Sequence, residues 1–71
     1  MKKRDIEKEY TRKQYIAKLR RLVDALESGK PFRIQVGKER LHIPSNAVIS
    51  IEHEREKEME ELEFQLQWKN K

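Results

Sequence analysis

Two stretches decide the fold: Ile49-Ser50-Ile51-Glu52-His53-Glu54 and Glu61-Leu62-Glu63-Phe64-Gln65-Leu66-Gln67-Trp68. In both, apolar and polar residues alternate with a period of two, which places one kind on each side of an extended strand. A hairpin whose loop is centred on Glu58-Met59 sets Ile49 opposite Trp68, Ile51 opposite Leu66 and His53 opposite Phe64. Both apolar stripes then share one face. A slip of one residue would turn one of them to solvent.

Upstream, Phe32, Ile34 and Val36 alternate with Arg33 and Gln35. Gly37-Lys38 supplies a two-residue turn with glycine first, which pairs Ile34 with Leu41 and Phe32 with Ile43. Pro44-Ser45-Asn46 makes the next turn. Before Pro31 the period changes to 3.6. Ile16, Leu19, Val23 and Leu26 recur at three- and four-residue steps, with Tyr15 and Leu22 beside them. Thr11 and Gln14 have the spacing of a capping box, and Ser28-Gly29 followed by Pro31 ends the helix. A short strand over Ile6–Tyr10 precedes it, with two possible pairings: antiparallel with the closing strand, which is favoured because a parallel crossover usually sits in a sheet covered on both faces, or parallel with the strand Phe32–Val36. The predicted fold is α+β: one α-helix packed on one face of a mostly antiparallel β-sheet, in the order β-α-β-β-β-β.

Seventy-one residues form one domain over residues 1–71, with residues 1–4 expected as a flexible basic N-terminus. The chain has no cysteine, which excludes disulfides and thiolate metal sites and fits a cytoplasmic location. Its longest apolar run, Ala47 to Ile51, is far below the roughly 20 residues of a membrane span. Charged residues make up 42% of the chain and give a net charge of +4, which is unevenly spread. Residues 1–40 carry 13 Lys/Arg against 6 Asp/Glu, a balance of +7; residues 41–71 carry 4 against 7, a balance of −3. This asymmetry bears on partners and association rather than on fold.

The order and spacing of these segments resemble the amphi-Trp domain family of short bacterial and archaeal proteins. The matching residues are Ile51-Glu52-His53-Glu54, the run Glu61 to Trp68, the helix from Tyr15 through Gly29, and Leu41-His42-Ile43-Pro44. The resemblance covers nearly the whole chain from Thr11 onward. It implies a small α+β domain and supplies no catalytic or binding residues. His53, where an aliphatic residue is more usual, and the excess of Lys/Arg depart from the family pattern.

Trp68 has the parity of Phe64 and Leu66, which assigns it to the core beneath the helix rather than to a partner's pocket. His42 and His53 fall on opposite sheet faces and form neither a shared metal site nor a catalytic pair. No Ser or Thr has a histidine base and an orienting acid nearby, and neither glycine belongs to a phosphate loop. The chain is therefore expected to be no enzyme, to use no cofactor or metal, and to take no small-molecule substrate.

Two charged groups remain as candidate contacts. Lys2, Lys3, Arg4, Arg12, Lys13, Lys18, Arg20 and Arg21 form a basic set suited to an acidic partner or to phosphates. Glu54, Glu56, Glu61 and Glu63 share one face of the last hairpin, pairing as Glu54 with Glu63 and Glu56 with Glu61. Arg33 and Arg40 are expected to neutralise part of that face. The expected function is a non-enzymatic interaction module that binds a protein partner or self-associates through sheet edges and opposite charge halves. The alternative is weak, sequence-independent binding of nucleic acid through the basic helix stripe.

Overall fold

The computed structural model describes residues 8–70. Helix α1 spans Arg12–Ser28 and is followed by strands β1 (Phe32–Val36), β2 (Glu39–Ile43), β3 (Val48–Arg55) and β4 (Glu60–Gln67). Both helix ends follow from local chemistry. The Gln14 amide donates to Thr11 Oγ1 at 3.2 Å and the Thr11 amide donates to Gln14 Oε1 at 3.1 Å, so the capping box satisfies two donors that the first turn leaves open. At the other end Gly29 takes a φ of 66°. Its amide donates to the Leu26 carbonyl, and that of Lys30 donates to the Ala25 carbonyl. This is the paired bonding of a Schellman motif, which needs a left-handed residue just past the helix.

The first hairpin has the expected register: Phe32 faces Ile43, Ile34 faces Leu41, and Val36 faces Glu39. Gly37 has a φ of 60° and Lys38 a negative one, the combination of a type II′ turn, whose twist matches that of the strands. Pro44 cannot extend β2 by donating, and the Ala47 amide closes a turn onto the Pro44 carbonyl at 3.1 Å. The chain therefore changes direction before β3. The four strands form two separate antiparallel pairs, β1–β2 and β3–β4, rather than one continuous sheet.

The second hairpin keeps the expected faces but not the expected partners. Ile49 pairs with Leu66, Ile51 with Phe64 and His53 with Leu62. The loop is Glu56–Met59, closed by the Glu56 amide on the Met59 carbonyl at 2.9 Å, so its centre lies at Lys57-Glu58 instead of Glu58-Met59. Moving the centre by one residue shifts each partner by two, which preserves parity. Trp68 consequently lies just beyond β4 rather than opposite Ile49.

Of the expected first strand, Ile6 and Glu7 lie outside the described residues, and Lys8–Tyr10 run without strand pairing. At Tyr10 this segment sits against β1, not the closing strand: its hydroxyl donates to the Gln35 carbonyl at 3.2 Å. Residues 1–4 also lie outside the described residues.

Helix α1 rests mainly on β1. Lys18, Leu22 and Ala25 are its half-buried positions, and Arg21 reaches across to donate to the Arg33 carbonyl while lying 5.4 Å from the Phe32 ring centre. Among the described residues only Phe32 (7% exposed) and Ile43 (5%) are buried. Ile16, Leu19, Val23 and Leu26, the residues of the apolar arc, stay partly exposed. The radius of gyration is 13.5 Å, against about 11 Å for a compact chain of this length.

Candidate interaction surface

The alternation that builds β3 and β4 gives their hairpin two unlike faces. On one, Ile49, Ile51, Leu62, Phe64 and Leu66 make a stripe. The stripe ends near the loop in a polar clasp: Glu60 Oε1 lies 3.0 Å from His53 Nε2 and accepts from Arg55 Nη2 at 3.2 Å. Ile49, Ile51, Leu62 and Phe64 are all exposed; Leu66 alone is half-buried.

Between this stripe and α1 runs an apolar cleft of about 300 Å³, lined by Leu22, Leu26, Ile49, Ile51, Phe64 and Leu66, with Ser50 and Gln65. A second space of about 380 Å³ adjoins it, where Tyr15, Leu19, Phe32, Ile34 and Leu41 approach Phe64 and Trp68. Trp68 is half-buried and borders this inner space, on the side its parity assigned. With 100° between successive helix residues, Val23 and Ile16 stand about 100° and 120° round from Leu22, on the same side as Leu26. The helix thus turns Leu19, Val23, Leu26 and Ile16 towards the side occupied by the hairpin stripe, and a gap separates the two.

The opposite face of the hairpin is acidic, with a different membership from that expected. Glu52 pairs with Glu63 and Glu54 with Glu61, while Glu56 sits in the loop and leaves the ladder. The two-residue shift of partners accounts for both changes. Carboxylate oxygens of Glu52, Glu54 and Glu63 lie within 4.8 Å of one another. Carboxylates so placed repel one another where solvent and counter-ions do not screen them.

The basic residues divide. Lys2, Lys3 and Arg4 lie outside the described residues. Arg12, Lys13 and Arg20 are exposed on α1. Half-buried Lys18 and exposed Arg21 lie instead on the side turned to β1, where Lys18 Nζ is 5.0 Å from the Tyr10 ring centre. They join Arg33, Arg40 and His42 around a concavity of about 400 Å³ beside β1 and β2. Arg33 and Arg40 were expected to offset the acidic face, but their strands belong to the other sheet and carry them to this basic hollow. Sequence reasoning did not find that grouping. Its one available signal was the cross-strand register, which puts Arg33 opposite His42 and Gln35 opposite Arg40. His42 and His53 lie on different sheets.

Residues 2–71 match the model of the Amphi-Trp domain. The chain belongs to the Amphi-Trp domain family. No curated protein and no solved structure matches it. The amphipathic closing segment of this Amphi-Trp domain is strand β4 with Trp68 at its end, and its apolar side is the exposed stripe. No helix among the described residues is long and apolar enough to cross a membrane.

Proposed function

We propose that this Amphi-Trp domain is a cytoplasmic, non-enzymatic interaction module whose binding surface is the apolar side of β3–β4 together with the adjoining side of α1. The single observation that carries this reading is the exposure of Ile49, Ile51, Leu62 and Phe64 on one continuous face. Contiguous apolar patches of this kind mark contact surfaces on soluble proteins. The polar clasp of His53, Arg55 and Glu60 at the stripe's end supplies the hydrophilic rim that such surfaces have.

A photo-cross-linking side chain placed at Leu62 tests the reading in cells. It should yield an intermolecular product of defined mass, whereas the same group at Glu52, on the acidic face, should not. If Leu62 cross-links only within its own chain, the stripe is covered internally and the reading fails.

A second reading, weak and sequence-independent binding of nucleic acid, is supported by the hollow that gathers Lys18, Arg21, Arg33 and Arg40. Four phosphate contacts would make affinity fall on the order of 100-fold between about 50 and about 200 mM salt. Fluorescence anisotropy with single- and double-stranded oligonucleotides tests it. No binding at low salt ends it.

A further inference from the structure

We infer that the partner on this surface is a second copy of the same chain, docked through a two-fold interface. The inference names the occupant of the surface proposed above and rests on that reading. Area is the first argument. The chain exposes 7350 Å². A folded monomer of 8.7 kDa exposes about 4,700 Å². The excess is about 2,600 Å², and a standard stable interface removes only about 800 Å² from each partner. A third of the excess is enough.

Self-complementarity is the second. A two-fold interface brings each patch against its own copy, so the patch must hold both halves of every contact. Here one patch contains an apolar helix side, with Ile16 and Val23, and an apolar hairpin face, with Ile51 and Phe64. The helix side of one copy covers the hairpin stripe of the other, and the reverse contact follows by symmetry.

Charge is the third. Arg12 and Arg20 outnumber Glu27 along the helix side of the patch, and Glu56 and Glu58 outnumber Lys57 in the hairpin loop, so the first is net positive and the second net negative. Crossing the two copies puts the basic border of each beside the acidic loop of its partner, which steers the encounter and fixes its orientation. An unrelated acidic or basic partner would satisfy one of these borders and leave the other facing like charge.

Sedimentation velocity of the full chain across a wide concentration range tests the inference. A species of twice the 8.7 kDa chain mass should appear and grow with concentration. Phe64→Glu should weaken its formation at least about 30-fold, the effect of losing one central contact of about 2 kcal/mol. Glu52→Gln, on the acidic face away from the stripe, should leave it unchanged. Phe64 is exposed in the single chain, so circular dichroism of Phe64→Glu should match that of the parent. A chain that stays monomeric at every concentration overturns the self-association and leaves the wider interaction reading to the Leu62 cross-link. A dimer that Phe64→Glu does not weaken overturns the assigned surface.

Discussion

Ile51 and Phe64 stand directly opposite each other in the β3–β4 ladder, 64% and 58% exposed, while the equivalent pair of the first hairpin, Phe32 and Ile43, is buried. Two hairpins built on the same alternation therefore differ in what covers them. Helix α1 packs on β1 and leaves β3–β4 open along most of its apolar side.

The contrast sets the cost of truncation. Phe32→Ala removes a buried ring and should destabilise the domain by about 3 to 5 kcal/mol. A domain of 71 residues has about 4 to 11 kcal/mol in total, so the loss removes between about a quarter and all of it, and the urea midpoint should fall sharply. A loss under about 1 kcal/mol would show that the core lies elsewhere.

Gly29 reads out a backbone requirement. No atom lies within 4 Å of where a Cβ would stand, so Gly29→Ala meets no steric obstacle and pays only for the left-handed φ of 66°. The expected loss is about 1 to 2 kcal/mol by thermal or chemical melting. Gly29→Asn should recover part of it, because asparagine tolerates that region. Equal losses for both would argue against this helix end.

The capping box acts as one unit. Thr11→Ala should cost about 1 kcal/mol. Gln14→Ala removes the reciprocal bond, and the double variant should lose less than the sum of the two singles. Strict additivity would mean that the two bonds are independent.

Much of this fold was legible from local patterns. Thr11, Gln14 and Gly29 act within one turn of the chain, and Gly37-Lys38 fixes the first hairpin because a two-residue turn leaves no choice of partner. The faces of β3 and β4 were legible too, since parity survives a two-residue shift. Their partners were not. Ile49 can face Trp68 or Leu66 with equal apolar agreement, and only the closure of Glu56 onto Met59 selects the second. The basic hollow was out of reach for a different reason. Lys18 and Arg21 come from α1, Arg33 from β1 and Arg40 from β2, and which helix side rests on β1 is a matter of tertiary packing.

Register is therefore worth an independent check. The chain has no cysteine, so a pair introduced at Ser50 and Gln65, which face each other, should oxidise readily to an intramolecular disulfide. A pair at Ser50 and Gln67, the partners in the alternative register, should form one far more slowly. The reverse order would overturn the observed pairing.

The openness of the β3–β4 stripe in a single chain is tested most directly by methyl NMR with a soluble paramagnetic agent, on a sample dilute enough to be monomeric. The Ile51 and Leu62 methyl signals should be strongly attenuated while those of Ile43 persist, in line with exposures of 64%, 65% and 5%. Ile51 and Leu62 protected to the same degree as Ile43 would mean that the chain covers its own stripe, and the proposed surface would be part of an ordinary core.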